Sequence, residues 1–282
     1  MLRAQAVTLD SGLSLSYAAH GAESGPTVVM LPGPTDSWRS YAPVLDRLPH
    51  WIRAIAVSQR GHGDSDKPGT GYGVHDFAGD AVEFLNALSI DRAVLVGHSG
   101  SCLVARNVAL RHPERVAGLV LEASPTHLRT DAARQFLNSV VLNLVDPIDA
   151  DFAKSFLADT SSTHVAPQLI DILTAETLKV PARVWHEMFS GLLDHDDTRE
   201  LSGIVAPTVL IWGNGDALVS RQMQHMLVDV IPHAELIVYA GAGHTPRWED
   251  TRRFSDDITE FITRVHATHT SAPLGADSER ST

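Results

Sequence analysis

Three residues whose types could together form an activated nucleophile stand in three separate glycine-rich segments. Ser99 lies in GHSGS, His244 in GAGHT and Asp216 in WGNGD. A serine hydroxyl is a weak nucleophile and needs a neighbouring base. A histidine can be that base when a buried carboxylate holds its ring in the right tautomer. The sequence therefore predicts a catalytic Ser–His–Asp arrangement, with Ser99 as nucleophile, His244 as general base and Asp216 as the orienting acid.

The segment around Ser99 has the form of a nucleophile elbow, a sharp turn from strand to helix that lifts a serine above the edge of a sheet. Strain at the serine requires small residues two positions before and after it. Gly97 meets this need, and Ser101 stands where a second glycine is usual. An apolar run precedes the segment and a helical pattern follows it. The simpler alternative is that Ser99 only caps the following helix.

The two partners of Ser99 also have simpler alternatives. The chain contains 15 histidines, so His244 could be a solvated loop residue. Asp216 could do no more than close an Asx turn. Both nevertheless follow predicted strands, and the order Ser, Asp, His along the chain is the order that this kind of elbow leads us to expect. Glu122, at the end of another predicted strand, is the alternative acid.

The elements that must position these residues alternate between strand and helix. Strands are predicted over residues 6–9, 13–18, 27–31, 52–57, 93–97, 116–122, 207–212 and 236–239. Helices are predicted over residues 37–48, 77–88, 100–111, 219–230 and 248–265. Continuous apolar strands that alternate with helices indicate an α/β fold, with a mostly parallel, doubly wound sheet covered on both faces. The first two strands are predicted to form an antiparallel hairpin.

The alternation is interrupted once. Residues 125–202 read as helical throughout, so we expect a helical cap inserted between a first core segment, residues 1–124, and a second, residues 203–266. Residues 267–282 are polar and rich in Pro, Gly and Ser, which predicts a disordered tail.

Charge and composition limit the partners. With 22 basic and 34 acidic residues the net charge is -12, which repels phosphate backbones and anionic lipids, so neither nucleic acid nor a membrane is expected as a partner. The single cysteine, Cys102, cannot form an intrachain disulfide. No apolar run approaches the ~18 residues of a membrane span. We expect a cytoplasmic protein that acts on a small molecule, with its oligomeric state left open.

Taken together, these motifs resemble those of the α/β-hydrolase superfamily, in the branch of esterases, lactonases, carbon–carbon bond hydrolases, haloalkane dehalogenases and epoxide hydrolases. The resemblance covers about residues 27–263. QRGHGDS at 59–65 is similar to the branch's loop after the second parallel strand, and GHTPRWED at 243–250 to its histidine loop. The resemblance implies an α/β-hydrolase fold with a helical cap. Dehalogenases and epoxide hydrolases of the branch carry aspartate at the elbow, so Ser99 implies attack on a carbonyl.

One segment departs from the family pattern. LPGPTDSW at 31–38 stands where the family has a His-Gly-x-x segment, in which the residue after the glycine donates its backbone N–H to the oxyanion. Here that residue is Pro34, which has no N–H. Losing one such donor costs ~2.7–4 kcal/mol in the transition state. The N–H of Gly100 remains as one donor, and Thr35, through its N–H or its hydroxyl, is predicted to be the second.

The leading prediction is hydrolysis of a small or medium carboxylic ester or lactone through an acyl-enzyme, without a cofactor or metal. One alternative is carbon–carbon bond hydrolysis of a vinylogous diketone by the same three residues. Another alternative is a ligand-binding receptor on a hydrolase scaffold with slow turnover. The missing N–H of Pro34 is the feature that favours this alternative. The candidate pocket residues are Trp38 and, from the insertion, Phe136, Phe152, Phe156, Trp185, Phe189, Leu192 and Leu193. Most of those from the insertion could equally pack helices together.

Overall fold

The computed structural model describes residues 2–270, and its centre is an eight-stranded sheet. The strands are β1 (Gln5–Thr8), β2 (Ser14–His20), β3 (Thr27–Leu31), β4 (Arg53–Val57), β5 (Ala93–His98), β6 (Val116–Glu122), β7 (Thr208–Gly213) and β8 (Ala234–Tyr239). Their spatial order is β1-β2-β4-β3-β5-β6-β7-β8. β2 pairs antiparallel with β1 and with β4, and the remaining neighbours are parallel. The mostly parallel sheet and its opening antiparallel hairpin are thereby confirmed.

Helices cover both faces of the sheet. They are α1 (Ala42–Leu45), α2 (Val74–Ala87), α3 (Ser101–Arg111), α4 (Asp131–Ser139), α5 (Ala150–Ala158), α6 (Pro167–Thr177), α7 (Ala182–Asp194), α8 (Arg221–Val230), α9 (Pro246–Glu249) and α10 (Thr251–Thr270). One apolar cluster joins the sheet to α2, α3 and α8, and a second joins it to α1 and α10. The sheet is therefore doubly wound, as the sequence predicts.

Strand β5, which leads to Ser99, lies in the middle of the sheet and is buried along its whole length. Its side chains alternate between the two apolar clusters, with Leu95 facing the cluster of α2 and α3 and Val96 facing the cluster of α1 and α10. A strand buried on both faces has no polar face to show. This is the physical reason that the sequence before Ser99 is a continuous apolar run.

The predicted helices shift by a few residues at their ends, and two of them, the first and the last, differ more. The helix predicted over residues 37–48 is a short 3-10 turn, Trp38–Tyr41, followed by α1. Pro43 stands in the first turn of α1, where a proline is tolerated, but it could not stand inside one longer helix. At the other end, α10 extends to Thr270, so residues 267–270, predicted as the start of the tail, are helical. The rest of that predicted tail, residues 271–282, lies outside the described residues.

Helices α4 to α7 lie between β6 and β7, and we call residues 125–202 the cap. A fully buried ion pair ties both ends of the cap to α3. The guanidinium of Arg106 donates to the two carboxylate oxygens of Asp197 at 2.7 and 3.0 Å. It also donates to the carbonyls of Pro125 at 2.8 Å and Thr126 at 3.0 Å. Because removing one member of a buried ion pair leaves an uncompensated charge, substitution of Arg106 or Asp197 alone should be strongly destabilising.

Candidate active site

Ser99 stands at the sharp turn between β5 and α3. Its φ is +53°, in the left-handed region that non-glycine residues rarely adopt. The turn brings the chain back on itself so closely that a Cβ on Gly97 would lie 2.7 Å from the carbonyl oxygen of Ser101 and 2.9 Å from the N atom of Cys102. The glycine before the turn is thus sterically required, and the strained serine is held with its hydroxyl at the carboxyl edge of the sheet.

Ser101, in place of the second glycine, has a structural role of its own. Its hydroxyl donates to the carbonyl of Pro32 at 2.6 Å and accepts from the side-chain amide of Gln59 at 2.9 Å. The same amide donates to Pro32 at 3.1 Å. Ser101 therefore attaches the first turn of α3 to the loop after β3, where the sequence predicts oxyanion donors.

The structure brings together the three residues that the sequence singles out. Nε2 of His244 lies 2.8 Å from Oγ of Ser99, and Nδ1 of His244 lies 2.8 Å from Oδ2 of Asp216. The other carboxylate oxygen of Asp216 accepts from the backbone N–H groups of Leu218 at 2.8 Å and Val219 at 3.0 Å. Asp216 thus closes an Asx turn and also contacts the imidazole of His244, so the turn and the contact with the histidine are both present at this one residue. The geometry can pass the serine proton to an oriented imidazole.

A second histidine supports the loop of the first. Nε2 of His98 donates to the carbonyl of His244 at 3.0 Å. Burial lowers the pKa of His98 well below its usual range, and the charge of Arg247 lowers it further, so the ring is neutral. A Cβ on Gly33 would lie 2.4 Å from Nδ1 of His98. The loop after β3 therefore needs a glycine where it passes this ring.

Glu122, the alternative acid, pairs with Arg247 and not with the imidazole of His244. Arg247 donates to Glu122 through its backbone N–H at 3.0 Å and its guanidinium at 3.1 Å, and the guanidinium also donates to Asp36 at 2.8 Å. Tyr41 adds a hydroxyl bond of 3.2 Å to Glu122. Burial raises the pKa of Asp36 to about 6, against the opposing effect of the guanidinium. This buried network joins the loop after β3, the end of β6 and the histidine loop.

Pro34 lies directly against the elbow. A Cβ on Gly100 would come within 3.0 Å of the ring of Pro34 and 2.9 Å of the side chain of Leu192, from α7 of the cap. The cap and the loop after β3 therefore close over the start of α3. Beside them is a cavity of about 10 Å³, lined by Pro34, Gln59, Phe77, Gly100, Ser101, Val104, Met188 and Leu192.

Thr35, the predicted second oxyanion donor, is buried with its hydroxyl unpaired among the described residues. Its φ is +74°. A helix cap would explain the hydroxyl, but the cap of the next turn is Ser37, whose side chain accepts from the N–H of Arg39 at 3.3 Å. Because a buried hydroxyl without a partner costs free energy, the position of Thr35 calls for an explanation beyond the fold.

The other predicted pocket residues mostly pack against one another. Five aromatic rings from α4, α5 and α7 form a cluster with centroids 5.1–6.2 Å apart: Phe136, Phe152, Phe156, Trp185 and Phe189. Trp38 is buried beside Tyr41 and Leu45 because its turn packs onto the sheet, and it does not line the cavity beside Gly100, so its role as a pocket residue stays a prediction. Of the eight candidates, Leu192 borders the cavity, together with Met188, which the sequence analysis missed.

Two further kinds of reactive group among the described residues are the single cysteine and possible metal ligands. Burial raises the pKa of the Cys102 thiol to about 12, so it stays protonated at neutral pH. Within residues 2–270, no cluster of three or more His, Cys, Asp or Glu side chains is arranged to hold a metal ion. Nor does any helix in that range combine the length and hydropathy needed to cross a bilayer.

Comparison with known proteins agrees with this architecture. The family model described as alpha/beta hydrolase fold matches residues 26–251. The 2-(acetamidomethylene)succinate hydrolase of Mesorhizobium japonicum is 36% identical over 254 residues, which cover 85% of this chain and 88% of that protein. The non-heme chloroperoxidase of Streptomyces lividans is 28% identical over 273 residues, covering 91% and 98%. Among solved structures, a thermophilic esterase from Thermogutta terrifontis has a TM-score of 0.83 and 22% identity, over 94% of this chain and 99% of that one.

Proposed function

Because the chain belongs to the α/β-hydrolase family, we propose that it is a serine hydrolase that cleaves a small or medium carboxylic ester or lactone through an acyl-enzyme. The observation that carries this proposal is the continuous line of two 2.8 Å contacts from Ser99 through His244 to Asp216. The strained backbone of Ser99 supports it, since strain of this kind persists where the surrounding structure holds a functional group in position.

In the proposed mechanism Oγ of Ser99 attacks the substrate carbonyl while Nε2 of His244 takes its proton. The carboxylate of Asp216 stabilises the imidazolium that forms. The N–H of Gly100 and a donor of Thr35 stabilise the oxyanion of the tetrahedral intermediate. Collapse of this intermediate expels the alcohol, which takes the proton from His244. A water molecule, deprotonated by His244, then attacks the acyl-enzyme, and the second tetrahedral intermediate releases the acid as His244 returns the proton to Oγ of Ser99.

The cavity beside Gly100 is our candidate for the acyl subsite. Apart from Gln59 and Ser101, its walls are apolar or glycine, and it has no charged side chain. A volume of about 10 Å³ is about what a single water molecule needs, so this subsite favours a short, uncharged acyl group. Longer acyl groups require the side chains of Met188 and Leu192 to move.

A fluorophosphonate probe tests the nucleophile. We expect rapid labelling of the wild-type protein, with one adduct per chain measured by intact mass. The Ser99→Ala variant should stay folded, because alanine fits the elbow, and should carry no adduct. Turnover of p-nitrophenyl acetate should disappear with the same substitution. More than a few per cent of residual activity in a purified Ser99→Ala sample would exclude the acyl-enzyme mechanism.

A substrate panel tests the bond that is cleaved. It contains p-nitrophenyl esters of acetate, butyrate and octanoate, an aliphatic lactone, a ring-cleavage diketone and 2-(acetamidomethylene)succinate, the compound in the name of the Mesorhizobium relative. Hydrolysis of an ester or lactone supports the proposal. Cleavage of the diketone alone would replace it with carbon–carbon bond hydrolysis. Slow labelling of Ser99 without turnover would favour a ligand-binding receptor.

A further inference from the structure

The carboxylate of Glu249, five residues after His244, bridges two segments that are distant in sequence. Its Oε2 accepts from the backbone N–H groups of Ser162 at 3.1 Å and Thr163 at 2.7 Å, and from the hydroxyl of Thr163 at 2.7 Å. Its Oε1 accepts from the backbone N–H of Gly243 at 2.7 Å. One side chain therefore connects the residue before His244 to the loop between α5 and α6 of the cap. We call residues 160–163 of that loop the strap.

The strap also contacts the loops of both partners of Ser99. The carbonyl of Thr160 accepts from the backbone N–H of His244 itself, at 2.8 Å. The hydroxyl of Ser162 donates to the carbonyl of Gly215, the residue before Asp216, at 2.9 Å. The strap thus binds the backbone of the His244 loop and the backbone of the Asp216 loop, on the two sides of the contact between the imidazole and the carboxylate.

Two glycines make this close approach possible. A Cβ on Gly243 would lie 2.6 Å from the N atom of Ser162, and a Cβ on Gly215 would lie 2.9 Å from its hydroxyl. Neither glycine needs a positive φ here, since neither has one. Gly243 in GAGHT and Gly215 in WGNGD, each next to a predicted triad residue, therefore leave the space that the strap occupies.

We propose that Glu249 is a positioning residue, which fastens the loop of His244 to the strap, while Ser162 of the strap in turn holds the loop of Asp216. The inference rests on the proposed function of the same site. Its physical basis is that hydrogen bonds to a carboxylate are stronger than neutral ones, and Glu249 accepts several of them from two separate segments. Without the negative charge, the backbone N–H groups of the strap and of Gly243 compete for a weaker acceptor. The base then samples orientations in which it does not reach Ser99, and such loosening slows the chemical step more than substrate binding.

The test is Glu249→Gln, which keeps the shape and removes the charge. We expect kcat for p-nitrophenyl acetate to fall by about ten-fold or more with KM within about two-fold of wild type, as for an interaction needed only in the transition state. The rate of fluorophosphonate labelling should fall by a similar factor. The matched control is Asp250→Asn at the next position, because Asp250 is exposed, makes a 3.1 Å bond to the N–H of Arg253 and does not contact the strap. This control should keep the wild-type kcat.

A second measurement does not depend on turnover. Amide hydrogen exchange should become faster at residues 160–163, 213–216 and 243–245 in Glu249→Gln, and remain as in wild type in Asp250→Asn. Unchanged exchange at 213–216 would overturn the coupling between the strap and the loop of Asp216. A kcat within two-fold of wild type, or a loss that disappears on cooling and follows the melting temperature, would overturn the positioning role. Failure of the proposed function is separate, since it would appear as an unlabelled Ser99 in the wild-type protein.

Discussion

Nδ1 of His244 and Oδ2 of Asp216 are 2.8 Å apart, and the side chain of Asp216 is completely shielded from solvent. Glu122 also ends a strand close by, but its carboxylate faces Arg247. The two acids therefore have different partners, and their substitution should have different effects.

We predict that Asp216→Asn lowers kcat by about a thousand-fold or more while the melting temperature changes little, because an amide favours the wrong tautomer of the histidine. Glu122→Gln should do the reverse. It leaves the buried guanidinium of Arg247 with less compensating charge, so the melting temperature should fall, while kcat stays within about ten-fold of wild type. Steady-state kinetics and thermal unfolding of the two variants decide. A larger loss of kcat in Glu122→Gln than in Asp216→Asn would make Glu122 the orienting acid.

A second prediction concerns the oxyanion donor of Thr35. Thr35→Val removes only the hydroxyl, and valine has the same branching at the same positive φ, so the backbone strain is matched. We expect kcat to fall by roughly ten-fold or more with little change in KM. The melting temperature should stay equal or rise, since the lost hydroxyl is buried without a partner in the described structure.

The same variant separates the other possible roles of Thr35. An unchanged kcat would exclude the hydroxyl and leave the backbone N–H, which valine retains. A structure with a bound phosphonate then decides, because an adduct oxygen more than about 3.5 Å from every Thr35 donor removes this residue from the oxyanion hole.

A third prediction concerns the length of the acyl group. Leu192→Ala removes a wall of the cavity beside Gly100, so kcat/KM for p-nitrophenyl butyrate and octanoate should rise by about ten-fold or more relative to acetate. One methylene group in an apolar pocket changes the free energy that separates two substrates in kcat/KM by about 1–3 kcal/mol. Leu193→Ala, one position further along α7, is the control and should keep the wild-type ratio. Equal ratios in the two leucine variants would exclude this cavity as the acyl subsite.

A fourth prediction concerns stability against pH. The pKa of Asp36 is about 6 in the folded protein, against 3.8 for an ordinary aspartate. Between these values the folded state binds more protons than the unfolded state, so the free energy of unfolding contributed by Asp36 falls as the pH rises. A difference of about 2 pH units corresponds to about 3 kcal/mol.

The measurement is the free energy of unfolding of wild type and Asp36→Asn by denaturant between pH 4 and pH 7. The wild-type value minus the variant value should decrease by about 2 kcal/mol between pH 4 and pH 6, and by less than about 0.5 kcal/mol more between pH 6 and pH 7. Subtraction removes the contribution of groups common to both proteins, such as His62, whose pKa burial lowers to about 4. A difference that is constant over the whole range would contradict the prediction.

The sequence by itself determines the elements and the chemistry of the site, because both depend on neighbours along the chain. Strand β5 must be apolar throughout since both of its faces are covered, and the elbow must have Gly97 since the turn closes on itself. The break in the helix predicted from residue 37 is also local, because Pro43 is tolerated in the first turn of α1 and not inside one longer helix. The absence of an N–H at Pro34 is likewise a property of the residue alone.

Tertiary structure alone decides which of these residues meet. Glu122 ends β6 and Asp216 lies in the turn after the neighbouring β7, and only the packing of the histidine loop assigns Asp216 to His244 and Glu122 to Arg247. The contact of Glu249 with the strap joins residues 86 and 87 positions apart, and no local pattern marks such a contact. Pocket walls are decided in the same way, since an aromatic ring on a cap helix packs against whichever neighbour the fold brings to it, and here five of them pack against each other.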